Sequence, residues 1–284
     1  MRYGNRRRAT PPRDVHTTLR ADKAHTIKAV LVVQVDTASG VVNDIKAIGA
    51  AIRAAGHPAL LMVDAVASLA CMPFEMDEWG VDVAVSGSQK GLMTPPGLGF
   101  VAAGPRAREA HRSANLRTGY WDWTFRDGPE HYHKYAGTPP EHLLFALRAA
   151  LDMIFAEGME AAFKRHALLA EATRRAVSVW AEGQALAFNI AEASERSNTV
   201  TTILTENPQA ILDYARDICG VVVGVGIGQY TGRALRIAHM GHCNAPMLLG
   251  TLSVVEMALQ ATRIPHGKGG AQAAIDYLAA AVPA

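Results

Sequence analysis

Residues 62–102 read MVDAVASLACMPFEMDEWGVDVAVSGSQKGLMTPPGLGFVA, and the architecture of the chain follows outward from them. Three short apolar segments lie within this stretch, and continuous apolar runs of this length are typical of buried strands. Asp64 ends the first segment. Lys90 follows the second and stands between small residues and a Pro-Pro-Gly turn. A surface lysine needs no such surroundings, whereas a lysine that holds a carbonyl compound in one pose does.

Further apolar segments flank this stretch and alternate with a helical pattern. A helix is predicted from about Asp44, with Asn43 as its N-cap and Gly56 at its end. Continuous apolar strands that alternate with helices favour a parallel or mixed α/β sheet covered on both faces. The predicted strands of this sheet are residues 28–35, 59–66, 81–86 and 97–103.

The second half of the chain has a different pattern. A helical stretch from about Glu141 to Trp180, interrupted near Gly158, has apolar residues at i, i+3, i+4 and i+7. We therefore predict a large domain over residues 1–157 and a smaller C-terminal α+β domain over residues 158–284. The later predicted elements are strands near 198–204, 219–225 and 233–239 and helices near 208–218, 245–262 and 269–282.

The overall composition is that of an ordinary globular protein. Of the 284 residues, 49% are hydrophobic and 19% are charged, and the formal net charge is +2. This charge is too small for a general nucleic-acid-binding surface, and no apolar run reaches the ~18 residues of a membrane span. The three cysteines are far apart and odd in number, so we expect free thiols and a reducing, cytoplasmic location.

Polar side chains follow three of the predicted strands. Asp36 and Thr37 come after the first strand, Asp64 ends the second, and Lys90 comes after the third. Ligands of open α/β sheets bind at the carboxyl ends of strands, so these residues meet if their strands are neighbours. A lysine and a carboxylate in one pocket suit pyridoxal phosphate, which needs an amine for a Schiff base and an anion at its ring nitrogen. Taken singly, such residues are more often a surface lysine and a loop carboxylate.

The Val-Asp-x-Val-x-Ser and Ser-Gly-Ser-Gln-Lys segments at this separation resemble the core of class V aminotransferases. The likeness is greatest to the alanine–glyoxylate and serine–glyoxylate (serine–pyruvate) aminotransferases, and it covers nearly all of the chain from about residue 13 onward. It implies an α/β, type I pyridoxal-phosphate transferase fold, with a partial large domain that has a mostly parallel sheet. It also implies pyridoxal 5'-phosphate as cofactor and a homodimer with shared active sites.

The resemblance implies roles for four residues of the quoted stretch. Lys90 would form the internal aldimine with the cofactor and shuttle the proton during transamination. Asp64 would bind the pyridinium nitrogen, and Val66 would pack against one face of the ring. Gln89 would hydrogen-bond the cofactor phosphate.

The same resemblance implies roles for four residues elsewhere. Thr37 lies in QVDTASGVV, where the family has a similar Glu-(Ser/Thr)-Ser-Thr-Gly run, and would lie near the ring hydroxyl. Tyr135 and Thr138, in YAGTPP, would touch the phosphate of the other subunit's cofactor. Arg236, in ALRIAHMG, would bind the substrate carboxylate, for which a planar, two-pronged guanidinium is well suited.

The chain departs from the family pattern at its start. In the family, a segment on the order of 100 residues precedes the strand equivalent to 28–35 and supplies the phosphate-binding loop at a helix N-terminus. That segment also supplies an aromatic residue that stacks on the ring. The glycine-rich stretch 220–232 does not fit G-x-G-x-x-G, and we interpret it as a tight turn between strands. We therefore expect a truncated member of the family, or a fragment of a longer chain.

The implied reaction is a two-stage amino-group transfer from a small amino acid to glyoxylate or pyruvate. Serine to glyoxylate is the first expectation, because the overall likeness to serine–glyoxylate enzymes is closest, and alanine is the next donor. The expected partners are these amino acids and 2-oxo acids, together with a second copy of the chain. Neither nucleic acid nor a membrane is expected.

Three alternatives remain open at this point. A truncated, non-catalytic remnant of the family would lack phosphate contacts. A cysteine desulfurase would use Cys243, which follows two histidines in HMGHCNAP, although a free buried cysteine is the commoner explanation. A zinc site could use His239, His242 and Cys243, or the pair His131 and His133, but no second ligand pair has the usual spacing, so no metal is expected.

Overall fold

The computed structural model describes residues 7–281. The strands are β1 (Ala29–Val33), β2 (Val35–Asp36), β3 (Val41–Val42), β4 (Leu60–Asp64), β5 (Val83–Gly87), β6 (Gly99–Ala103), β7 (Leu186–Phe188), β8 (Val200–Thr205), β9 (Gly224–Val225) and β10 (Ala234–Ala238). The helices are α1 (Pro12–Ala21), α2 (Ile45–Ala55), α3 (Met76–Trp79), α4 (Pro105–Arg112), α5 (Trp123–Arg126), α6 (His131–Tyr135), α7 (Glu141–Glu157), α8 (Met159–Ala181), α9 (Pro208–Asp213), α10 (Ala245–Ala261) and α11 (Gly270–Ala281).

The first sheet has the strand order β1-β4-β5-β6. Strand β4 runs parallel to both β1 and β5, and Asp64 lies opposite Val33 on one side and Val85 on the other. Strand β6 pairs antiparallel with β5 and forms an edge. The predicted mixed, mostly parallel sheet is therefore confirmed, and the carboxyl ends of β1, β4 and β5 meet at one edge. The predicted cover on both faces is wrong for the described residues, because Leu31, Val33 and Val101, on the face away from α2, are exposed.

Helix α2 covers one face of this sheet. Its buried isoleucines, Ile45, Ile48 and Ile52, pack in one cluster with Leu61 and Val63 of β4. Full burial of an isoleucine side chain stabilises a fold by roughly 1.5–3 kcal/mol. The three-to-four-residue spacing of these isoleucines explains why this segment is helical and which face it buries.

The predicted N-cap of α2 is wrong by one residue. The Asp44 side chain, not that of Asn43, accepts the Ala47 N–H at 2.8 Å. Asn43 instead accepts the Thr10 N–H at 2.8 Å and donates to the Val33 carbonyl oxygen at 2.8 Å. These tertiary hydrogen bonds occupy its amide, so the neighbouring aspartate caps the helix.

The second sheet is antiparallel, with the order β7-β8-β10-β9. Helices α8, α10 and α11 pack in the hydrophobic cluster that includes Ile203 and Leu235 of this sheet, and Trp180 is fully buried there. Gly158 separates α7 from α8, as the sequence predicts.

Three details of the second half differ from expectation. The predicted strand 219–225 is reduced to Gly224–Val225, and Gly220 adopts a left-handed backbone with φ of +67°. The predicted helix 208–218 ends its α-helical part at Asp213 and continues as a π-helical turn, Tyr214–Ile218. The short edge strand β7 was not predicted, because three residues carry too little periodicity to identify a strand. None of the helices among residues 7–281 is both long and apolar enough to cross a membrane.

Candidate active site

The candidate site lies at the carboxyl edge of the first sheet. Asp64 ends β4, and Lys90 follows β5, the neighbouring strand. Burial lowers the pKa of Lys90, and the nearby Arg236 guanidinium lowers it further. The negative charge of Asp64 opposes this shift. The structure thus brings together an amine, a carboxylate and a guanidinium that are far apart in the sequence.

Asp64 is held in one orientation by its own turn. Its Oδ1 accepts the Val66 N–H at 2.8 Å, and its carbonyl oxygen accepts the Gln34 N–H at 2.9 Å. The Val66 side chain lies near the position that a Cβ would occupy at Gly87. One carboxylate oxygen is therefore committed to the backbone, and Oδ2 makes no hydrogen bond within the described part of the chain.

The loop that carries Lys90 is tied to itself at several points. Ser88 Oγ donates to the Pro95 carbonyl oxygen at 2.7 Å and accepts the Leu98 N–H at 3.2 Å. The Met93 N–H donates to the Lys90 carbonyl oxygen at 3.0 Å. This network confirms the predicted tight loop and limits where the lysine backbone can move.

Cys71 lies under the same loop. A Cβ at Gly91 would overlap the Leu69 carbonyl oxygen and would stand 2.6 Å from Cys71 Sγ, so only glycine fits there. Cys71 is fully buried, and this burial raises the pKa of its thiol to about 11. The cysteine is therefore a neutral packing residue next to Lys90, and no sequence pattern indicates this position.

Arg236 reaches the site from β10 of the second sheet. Its Nε donates to the Val225 carbonyl oxygen and its Nη1 donates to the Thr37 carbonyl oxygen, both at 2.7 Å. Burial lowers the pKa of Arg236, and the nearby Asp36 raises it. Among residues 7–281, Nη2 makes no hydrogen bond, so its N–H groups are free to donate to an anionic partner.

The turn between β2 and β3 joins the two sheets. Asp36 accepts the Ala38 N–H at 2.9 Å and the Ser39 hydroxyl at 2.6 Å. The backbone carbonyls of the turn face the second sheet. Thr202 Oγ1 donates to the Ala38 carbonyl oxygen at 3.1 Å, and Asn189 Nδ2 donates to the Ser39 carbonyl oxygen at 2.9 Å. Asn189 and Thr202 therefore position the segment around Thr37, and the sequence analysis missed both.

The remaining predicted site residues lie on exposed or half-buried segments. Gln89 is exposed, and its Oε1 folds to within 2.9 Å of the position that a Cβ would occupy at Gly87. Tyr135 is the last residue of α6 and is 37% exposed, and Thr138 lies in the loop that follows. No hydrogen bond within the described part of the chain joins Tyr135 or Thr138 to Lys90, and their predicted role concerns a second subunit.

Among the residues considered as alternatives, His239 already has a partner at each ring nitrogen. His239 is fully buried, with Nδ1 at 3.0 Å from the Asn198 carbonyl oxygen and Nε2 at 3.0 Å from Thr201 Oγ1. Burial raises the pKa of Cys243, which is the opposite of an activated thiolate. Within the part of the chain that the structure describes, no group of three or more metal-ligating side chains could hold a metal ion.

The donor set fits the reactive end of pyridoxal phosphate. Lys90 offers a partly dehydrated amine for the aldehyde, and Asp64 offers an uncommitted carboxylate oxygen for the ring nitrogen. Gln89 offers an exposed amide to the phosphate. These residues would hold the cofactor from the Lys90 side of the site.

Comparison with known proteins gives a consistent result. A model of the aminotransferase class-V family matches residues 13–227. The chain is 42% identical over 280 residues to serine–glyoxylate aminotransferase of Methylorubrum extorquens, covering 94% of this chain and 68% of that protein. It is 39% identical over 261 residues to L-aspartate–glyoxylate aminotransferase of Paracoccus denitrificans, covering 90% and 64%. A solved structure, pyridoxamine–pyruvate aminotransferase from Mesorhizobium loti, superposes with a TM-score of 0.86 at 32% identity, covering 97% and 70%.

The chain spans about two thirds of the length of these relatives. The superposition confirms the type I pyridoxal-phosphate fold that the sequence predicted. The family match covers most of the chain and contains Asp64 and Lys90, the two residues around which the site is built. The chain belongs to the class V aminotransferase family, whose cofactor is pyridoxal phosphate.

Proposed function

We propose that this chain is an aminotransferase that moves the amino group of a small amino acid to glyoxylate or pyruvate. The juxtaposition of Lys90, Asp64 and Arg236 supports this proposal most directly. The three side chains supply what the reaction needs: an amine for an aldehyde, an acid for a ring nitrogen, and a guanidinium for a substrate carboxylate.

Lys90 has two tasks in this proposal. Its lowered pKa raises the fraction of unprotonated amine near neutral pH, and only the unprotonated form attacks a carbonyl carbon. Released from that bond, the same amine would take the proton from the α-carbon of the amino acid and deliver it to the former aldehyde carbon of the cofactor, as amino transfer requires. The bound cofactor supplies the electron sink that makes this proton removable.

Asp64 keeps the ring nitrogen protonated, which sustains that electron sink. The Val66 N–H holds its Oδ1, so the carboxylate presents Oδ2 in one orientation. Val66 would pack on the ring, Thr37 would lie near the ring hydroxyl, and Gln89 would donate to the phosphate.

Arg236 selects a substrate with an α-carboxylate. Because backbone carbonyls already hold Nε and Nη1, the guanidinium is oriented before the substrate arrives. We propose serine as donor and glyoxylate as acceptor first, and alanine as the next donor. The relative named for L-aspartate makes aspartate a third donor to test.

We further propose a homodimer in which Tyr135 and Thr138 touch the phosphate held by the other subunit. Several exposed aromatic side chains lie between residues 120 and 135, and aromatic residues are enriched at protein interfaces. They are Tyr120, Trp121, Phe125, Tyr132 and Tyr135 itself.

We propose that the boundary between the two domains lies between residues 157 and 158. The two largest hydrophobic clusters support the boundary, because one draws on residues 15–84 and the other on residues 168–278. We also propose that the protein is cytoplasmic, because its three free cysteines are typical of a reducing compartment.

The test is an amino-transfer assay on the purified chain supplied with pyridoxal phosphate. Serine, alanine and aspartate are each paired with glyoxylate and with pyruvate, and the 2-oxo acid product is measured. Borohydride reduction followed by peptide mass mapping reports whether the cofactor is bonded to Lys90, with Lys90→Ala as control. A chain that carries the cofactor and transfers no amine contradicts the proposed activity. A chain that never acquires the cofactor supports the non-catalytic remnant instead.

A further inference from the structure

His166 is a buried polar residue that the proposed reaction does not use. It lies on α8 and is 1% exposed. Its Nε2 accepts the Gly241 N–H at 2.9 Å, and its Nδ1 lies 2.7 Å from the Ala162 carbonyl oxygen. A backbone N–H can only donate and a carbonyl can only accept, so the imidazole is neutral and carries its proton on Nδ1.

The preceding residue, Arg165, binds the same loop. Its Nη1 donates to the carbonyl oxygens of Gly241 and Cys243 at 2.8 and 3.0 Å. Its Nε and Nη2 form a two-pronged ion pair with Glu157 at 2.6 and 2.8 Å. Two consecutive residues of α8 therefore hold three backbone groups of residues 241–243, the segment between β10 and α10.

This segment lies against the backbone of Lys90. Gly241 has φ of +78°, and a Cβ built on it would stand 3.1 Å from the Lys90 carbonyl oxygen. A side chain at this position would therefore be tighter than ordinary van der Waals packing, which shows that the Gly241 backbone packs closely against the Lys90 backbone. A loosened Gly241 would admit water beside a residue whose proton affinity depends on burial.

We propose that His166 is a positioning residue: by accepting the Gly241 N–H, it keeps residues 241–243 packed against Lys90 and keeps the lysine partly dehydrated. The inference rests on the proposed function, in which Lys90 is the reactive lysine. The charged or titratable groups near the lysine are Arg236, Asp64 and Cys71, and those near His166 are Arg165, Glu157 and His239.

The test uses the cofactor-free chain and needs no turnover. The pH dependence of Lys90 acetylation, followed by peptide mass spectrometry, gives the pKa of the lysine. Hydrogen exchange of the peptide containing Gly241 reports the hydrogen bond itself. His166→Phe removes both hydrogen bonds at similar volume, and His166→Gln keeps an acceptor and a donor. Thr173→Val is the matched control, because Thr173 is equally buried on α8 and, within the described part of the chain, its hydroxyl bonds only to the Leu169 carbonyl oxygen of its own helix, at 2.9 Å.

We expect the Lys90 midpoint to move to higher pH in His166→Phe and to return toward the wild-type value in His166→Gln. We expect exchange at Gly241 to quicken about fivefold in His166→Phe, the factor for one typical hydrogen bond. An unchanged midpoint in a folded His166→Phe overturns the proposal. So does an equal shift in Thr173→Val, which would show that any change in α8 has the effect.

Arg165→Met provides a second variant should His166→Phe fail to fold. It removes two of the three bonds to the loop from a half-buried side chain and is expected to shift the Lys90 midpoint in the same direction. No shift in this variant also counts against the proposal. Because both readouts are taken without cofactor or substrate, a chain without aminotransferase activity can still show the His166 effect.

Discussion

Arg236 Nη1 donates a hydrogen bond of 2.7 Å to the carbonyl oxygen of Thr37, a residue 199 positions earlier in the chain. The same guanidinium donates from Nε to the Val225 carbonyl oxygen on the neighbouring strand β9. These two bonds fix the plane of the guanidinium and join the second sheet to the β2–β3 hairpin, which follows β1 of the first sheet. The proposed substrate-binding residue is therefore also a structural tie.

Arg236→Lys removes the planar guanidinium from both roles, because one ammonium cannot replace it. Measuring donor binding and cofactor binding side by side separates the two. Hydrogen bonds to charged groups contribute about 1.5–3 kcal/mol, so we expect the KM for the amino donor to rise about 10- to 100-fold. Cofactor affinity should change much less. Steady-state kinetics and cofactor titration measure the two effects.

Arg216→Lys is the control for that substitution, because Arg216 is exposed and its ion pairs among residues 7–281 are with Asp213 and Asp217 at the surface. It should leave both constants unchanged. If Arg236→Lys weakened cofactor and donor binding equally, its role would be structural.

The sheet edge that carries Lys90 and Asp64 could be predicted because each residue follows a short, continuous apolar strand. Such continuous apolar runs are typical of strands in a parallel sheet, and polar residues at their carboxyl ends converge by geometry. The break at Gly158 was predictable for a similar local reason, since glycine interrupts an otherwise regular helical repeat.

Other parts of the site could not be predicted, since they depend on contacts between distant segments. Nothing near Thr202 or Asn189 indicates that their side chains bind backbone carbonyls of residues 38 and 39. Cys71 has the same difficulty, because its position under Lys90 follows from the packing of Gly91. The N-cap of α2 was misplaced because Asn43 and Asp44 are both good capping residues, and tertiary hydrogen bonds decide between them.

The hydrogen bond from Thr202 to the turn after β2 should contribute measurably to stability. Thr202→Val keeps the volume of the side chain and leaves the Ala38 carbonyl oxygen without this donor. Loss of a buried partner costs about 1–3 kcal/mol, so we expect the free energy of unfolding to fall by that amount. Urea denaturation measures it.

Thr199 offers a control with the opposite expectation. Its hydroxyl is fully buried and finds no hydrogen-bond partner among residues 7–281. Thr199→Val removes an unsatisfied polar group and should leave stability unchanged or raise it by about 1 kcal/mol. If both valine variants were equally destabilised, the bond from Thr202 would have no special value.

Acid should destabilise the fold through His239. Burial lowers the pKa of His239 to about 3, so the folded chain keeps it neutral while the unfolded chain protonates it below about pH 6.5. The unfolded state then binds more protons, and stability is lost as pH falls from about 6.5 toward 3, by at most about 1.4 kcal/mol per pH unit from this residue. Burial also lowers the pKa of His166, which adds a loss of the same sign.

Denaturation at a series of pH values between about 5 and 7 isolates this effect, because carboxylates titrate mostly below that range. His239→Gln should be less stable than wild type at neutral pH but should show a shallower decline as pH falls. The exposed His131→Gln should keep the wild-type slope. A slope that is unchanged in His239→Gln would show that other groups account for the acid sensitivity.

Alkylation of the three cysteines should report how firmly the Lys90 loop is closed. Cys71 is fully buried and its thiol has a pKa of about 11, whereas Cys219 is only partly buried. Since the thiolate is the reactive form, iodoacetamide at neutral pH should modify Cys219 well before Cys71. Peptide mass spectrometry over time measures both rates, and a urea-unfolded sample, in which all cysteines react, is the control.

Because Cys71 Sγ lies directly beneath Gly91, Cys71 can react only when that loop lifts. Equal rates at Cys71 and Cys219 would therefore mean that the loop opens readily and that Lys90 is not held in a dehydrated setting.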